Sequence, residues 1–60
     1  MVVIRYTCKS GVIVQFNNVI PNRMYCVSLY WGGKRVYVEY FFDWESAYSY
    51  FEDMSGLDYE

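Results

Sequence analysis

Residues 24–42 read MYCVSLYWGGKRVYVEYFF, two runs of β-branched and aromatic residues on either side of Gly32-Gly33. Both glycines can adopt φ > 0, which a two-residue hairpin loop demands. With that loop Trp31 faces Lys34, and the pairs Leu29–Val36, Val27–Val38 and Tyr25–Tyr40 follow. Those pairs make one face that is almost wholly apolar. Side chains alternate between the two faces of a strand. The opposite face is therefore expected to hold Met24, Cys26, Ser28 and Tyr30 against Phe41, Glu39, Tyr37 and Arg35.

A second hairpin precedes the first. Residues 2–8 (VVIRYTC) and 12–16 (VIVQF) both alternate. A two-residue Ser10-Gly11 loop would set Tyr6 opposite Gln15. A three-residue Lys9-Ser10-Gly11 loop sets Cys8 opposite Val12, Tyr6 opposite Val14 and Ile4 opposite Phe16, which gathers the apolar residues together. The longer loop is the expected one, because a slip of one residue turns the hydrophobic set outward. It places Gly11 at the left-handed position of a type I turn with a bulge. Residues 17–23 (NNVIPNR) read as a connection with Pro21-Asn22 at the centre of a type I turn. It is too short for a crossover helix, so the second and third strands are expected to be antiparallel neighbours.

After the last strand, Asp43 is placed to cap a helix that begins at Trp44. Trp44, Ala47, Tyr48, Phe51 and Met54 then follow the spacing of one apolar helix stripe. Glu45, Ser49, Glu52 and Asp53 fall on the other side. Gly56 is expected as the C′ residue, with Leu57 folding back and a fraying tail behind it. The fold class is α+β: a four-stranded antiparallel β-meander with one C-terminal α-helix packed on one face, in a single small domain over residues 1–60. The expected core is Val2, Ile4, Tyr6, Val12, Val14, Phe16, Val27, Leu29, Val36, Val38 and Tyr40 beneath Trp44, Ala47, Tyr48 and Phe51.

Composition narrows the chemistry. A 60-residue chain buries a modest share of its surface and is marginally stable. It has two cysteines and no histidine. The registers put Cys8 and Cys26 on opposite sheet faces, which favours free thiols and a reducing compartment over a disulfide. Two cysteines without histidine supply too few ligands for zinc, so no metal and no cofactor are expected. No secretory signal or membrane-length apolar run is visible, which points to the cytoplasm. All five basic residues lie at or before Arg35 and all seven acidic ones at or after Glu39. Such asymmetry either hints at a charged partner or lets sheet and tail complement one another.

No histidine is present to activate Cys8 or Cys26, no phosphate loop follows a strand, and the carboxylates lie along a helix and not across a cleft. The chain therefore does not read as an enzyme. An uncovered sheet face carrying Met24, Tyr30, Arg35, Tyr37 and Phe41 has the residue types of a protein interface. A foreign protein or a second copy of the chain would suit it. The acidic strip of Glu45, Glu52 and Asp53 is a second candidate contact, able to mimic a phosphate backbone. Single-stranded nucleic acid on Tyr30, Arg35 and Tyr37 is the alternative, weakened by the acidic net charge and by Glu39 on the same face.

The ending EYFFDWESAYSYFEDM, residues 39–54, runs from a strand into an Asp-capped acidic helix after a meander. In that outline the chain resembles small phage-borne anti-CRISPR inhibitors, which are tiny, acidic and cofactor-free. The resemblance implies a protein that occupies an interface or nucleic-acid groove of a larger, nucleic-acid-handling protein. It assigns no residue a role.

Overall fold

A computed structural model describes residues 2–56. Strands β1 (Val2–Thr7), β2 (Ile13–Ile20), β3 (Met24–Trp31) and β4 (Lys34–Phe41) are followed by helix α1 (Trp44–Gly56). The strands form one antiparallel sheet in the order β1-β2-β3-β4. This is the expected α+β meander.

The first hairpin adopts the longer loop. The Cys8 N–H donates to the Val12 carbonyl over 2.8 Å and the Gly11 N–H to the Cys8 carbonyl over 2.9 Å, with Gly11 at φ 98°. Tyr6 lies opposite Val14, and Ile4 opposite Phe16. Beyond Ile4 the register slips, so Val2 meets Asn17 and Val3 is the extra residue. That bulge turns Val2 out of the expected core and leaves it 50% exposed.

β2 is longer than its alternation suggested and runs through Ile20. The turn after it is tight: the Arg23 N–H donates to the Ile20 carbonyl, and Asn22 sits at φ 61°. A positive φ directly after proline is the signature of a type II turn, in place of the expected type I.

The largest departure is in β4. Trp31 faces Lys34 and Tyr30 faces Arg35, but the register then shifts, and Leu29 meets Tyr37, Val27 meets Glu39 and Tyr25 meets Phe41. Val36 is the extra residue of a β-bulge. Every side chain after it changes face relative to the sequence expectation. Tyr37, Glu39 and Phe41 join the helix side. Val38 and Tyr40 move to the outer side, where Tyr40 is 50% exposed, while Val36 itself is 59% exposed. The exchange puts the wholly apolar ring of Phe41 against the helix at Tyr50, with centroids 5.4 Å apart, and leaves Tyr40 half-exposed on the other side.

The sheet can be read as rows across its strands. On the helix side, Tyr6–Val14–Leu29–Tyr37 and Ile4–Phe16–Val27–Glu39 each cross all four strands. The core gathers under α1 from Cys8, Val14, Phe16, Tyr25, Val27, Ala47 and Phe51. Phe16 is its hub, with ring centroids 4.9 Å from Trp44, 6.0 Å from Tyr25 and Phe51, and 6.2 Å from Tyr48. Trp44 stacks on Tyr48 yet stays half-exposed at the helix start. Both cysteines are free and buried, Cys8 on the helix side and Cys26 on the outer side.

Asp43 caps α1 as expected, its carboxylate accepting from the Ser46 N–H at 2.9 Å. Asp43→Ala should cost about 1 kcal/mol of stability, read by urea denaturation. Gly56 is helical and lacks a positive φ, so it is not the left-handed C′ residue. The expected fold-back of Leu57 lies outside the described residues. No helix among the described residues is long and apolar enough to cross a membrane.

Candidate functional site

Two surfaces remain once the core is drawn. The first is the outer sheet face. Its rows are Thr7–Ile13–Tyr30–Arg35, Arg5–Gln15–Ser28–Val38 and Val2–Asn17–Cys26–Tyr40. No carboxylate occurs in any of them, because the β4 bulge carries Glu39 to the helix side. Of the expected outer-face residues, Tyr30 and Arg35 are there and lie directly opposite each other. Met24 is half-buried opposite Ile20 at the end of the sheet. Tyr37 and Phe41 are not on this face, which corrects their assignment. Tyr40 is on it, although the sequence pattern predicts a core position.

The centre of this face is lower than its rim. Ser28 is fully buried and Cys26 nearly so, between taller neighbours. The Gln15 amide donates to the Asn17 side-chain oxygen, and the Asn17 amide to the Cys26 sulfur. The Ser28 hydroxyl has no partner. A buried, unbonded hydroxyl is destabilising. Ser28→Ala is therefore expected to raise stability by about 1 kcal/mol in a urea titration. A loss of stability would instead show that the hydroxyl is bonded.

The second surface is the helix side beyond the core. Glu45, Glu52 and Asp53 are all exposed on α1, and its last turn holds no basic residue. Between α1 and β4 runs an open groove of about 440 Å³, lined by Phe41, Glu45, Ser46, Ser49, Tyr50 and Asp53. Two aromatic rings, two hydroxyls and two carboxylates make it a place for a cation that carries some apolar surface. Tyr50, Ser46 and Ser49 were not among the expected site residues. Their part depends on Phe41 facing the helix, which depends on the bulge.

Tyr37 and Glu39 extend this surface along β4. The Tyr37 hydroxyl donates to the Glu39 carboxylate at 2.5 Å. That bond, then the Glu39 charge, pushes the Tyr37 pKa up to about 12. A raised pKa means the folded chain holds the proton more tightly than the unfolded one. The associated stabilisation is complete below pH of about 10 and is lost as pH climbs to about 12. A spectrophotometric titration should show one late-ionising tyrosine, which Glu39→Gln returns to the ordinary range. An unchanged late titration in Glu39→Gln would assign it elsewhere.

Among the described residues, no three side chains of metal-binding type come together. No protein-family model, curated protein or solved structure matches the chain.

Proposed function

We propose that this protein is a non-enzymatic binding module, an inhibitor or adaptor of a larger, nucleic-acid-handling protein, the class of action implied by its resemblance to small phage-borne inhibitors, and that it presents its acidic helix face to a basic groove of that protein. The observation that supports it is the separation of charge between the two layers. Glu39, Glu45, Glu52 and Asp53 are on the helix side, while the outer sheet face has Arg5 and Arg35 and no carboxylate. Glu52 and Asp53 stand near the helix C-terminus, where the dipole disfavours negative charge. A complementary basic surface would offset that cost. The test is capture of partners from lysate by the tagged chain, with and without added single-stranded RNA as a competing polyanion. Capture should be lost with Glu52→Lys and weakened by the RNA. Capture that Glu52→Lys leaves intact would overturn the reading.

A second reading has its own observation. With Glu39 removed from it, the outer face offers Tyr30 and Tyr40 for stacking and Arg5 and Arg35 for phosphates, the combination used for single strands. Fluorescence anisotropy with a labelled single-stranded oligonucleotide over a salt series tests it. Binding that weakens steeply with salt and falls about tenfold or more in Tyr30→Ala/Tyr40→Ala, at about 1–3 kcal/mol per stacked base, would favour this reading.

A further inference from the structure

β4 is an edge strand, and the structure leaves one of its sides unpaired. Unpaired edges invite another strand unless they are short, bent or charged. The other edge, β1, is guarded in this way: it has six residues, a bulge at Val3 and Arg5 near its middle. β4 also has a bulge, at Val36, and charges at Lys34, Arg35 and Glu39, but it is longer, with eight residues, and is regular from Tyr37 to Phe41. Val36, Tyr37 and Tyr40 on it, and Phe42 just after it, are among the most exposed large apolar side chains, Phe42 at 74%.

The strand is also polar along its length. Lys34 and Arg35 open it, whereas Glu39 lies toward its end and Glu45 and Asp53 stand beside the groove at Phe41. A strand with this polarity is complementary to itself when antiparallel. We propose that a second copy of the chain pairs antiparallel with β4, each protomer seating its Lys34 in the groove of the other between Phe41, Glu45 and Asp53.

The register follows from the bulge. Val36 is an extra residue, so Lys34 and Phe41 are equally far from Val38 in pairing steps. Centring the two-fold on Val38 pairs the whole of β4 and sets the second copy's Lys34 opposite Phe41. Both residues face the helix side, since Lys34 lies opposite Trp31 in the row beyond Leu29 and Tyr37. The second copy's Arg35 then lies opposite Tyr40 on the outer face, where a guanidinium can stack on the ring. Tyr37 of each chain meets Glu39 of the other. Sliding one way by a pairing step on each side of the axis sets Glu39 against Glu39, which like charge disfavours. Sliding the other way centres the axis on Tyr37, which sets Lys34 against Glu39 but leaves Tyr40 and Phe41 without a strand partner. An ammonium over aromatic rings and between two carboxylates suits the chemistry of the groove. Glu45 and Asp53 belong to both this interface and the acidic face of the proposed function, whereas Glu52 does not line the groove, so Glu52→Lys tests that function without touching this contact.

The experiment is sedimentation equilibrium of the full chain, its folding checked by circular dichroism. The wild-type chain should sediment at twice its monomer mass at micromolar concentration. Lys34→Glu/Arg35→Glu and Glu45→Lys/Asp53→Lys change exposed side chains only, so both variants should fold. Each alone should lose dimer affinity by tenfold or more. Mixed in equal amounts, they should form a one-to-one heterodimer, because opposite charges then meet at both ends of the interface. A wild-type chain that stays monomeric, a dimer unaffected in either variant, or two variants that do not combine would each overturn the proposal. So would a dimer broken by Tyr30→Ala alone, which would place the contact on the outer face.

Discussion

Phe16→Ala is expected to abolish cooperative folding near room temperature. Phe16 is fully buried at the meeting point of β2, β3 and α1, and four aromatic rings pack around it. Removing a buried phenylalanine costs about 3–5 kcal/mol, part for the lost transfer of the ring and part for the cavity left behind. The whole stability of a domain this size is about 3–9 kcal/mol at ordinary values per residue. The surrounding rings are held at each end by strand or helix, so they have little freedom to collapse into the space. Thermal melts should show a transition lowered by more than about 15 °C, or none at all. A decrease of a few degrees would mean that the core is not organised around this ring.

Gly11→Ala should give the second largest effect. Gly11 sits at φ 98°, where an L side chain is strained by about 1–2 kcal/mol. The new Cβ would also lie 3.0 Å from Cζ3 of Trp31. Trp31 is half-exposed and its ring can swing aside, so the backbone strain is the larger part. A loss of about 2 kcal/mol is expected in urea denaturation, and Gly11→Asn should lose less because asparagine tolerates left-handed backbone. Gly32→Ala is the control: it has a positive φ but no atom within 4 Å, so only the strain applies. Equal stability of Gly11→Ala and the wild type would contradict the three-residue loop.

Much of the fold is legible in the letters because local chemistry and pattern agree. Gly32-Gly33, the spacing of Cys8 from Val12, the Asp43 cap and the Trp44-to-Met54 stripe each point to one arrangement, and each is present. The positions of Val36 and Val3 are not legible, for a physical reason. A bulge at a β-branched residue has no composition of its own, and both faces of β4 carry large apolar or aromatic side chains. Val36, Val38 and Tyr40 make as good a buried set on paper as Tyr37, Glu39 and Phe41, and the carboxylate of Glu39 argues for the former. The structure accommodates Glu39 half-buried on the edge strand, with the Tyr37 hydroxyl donating to it. The candidate site inherits that difference. Tyr30, Arg35, Glu45, Glu52 and Asp53 stand on the surfaces the sequence suggests, whereas Tyr37 and Phe41 exchange places with Tyr40. The groove at Tyr50 exists only as a consequence.

The bulge at Val36 decides which side chains share a surface, and cross-strand nuclear Overhauser contacts in the isotope-labelled protein test it most directly. The arrangement described here gives contacts between Val27 and Glu39, Leu29 and Tyr37, and the rings of Phe41 and Tyr50. Contacts between Val27 and Val38, Leu29 and Val36, and Tyr25 and Tyr40 would contradict it, and would dismantle both the groove and the carboxylate-free outer face.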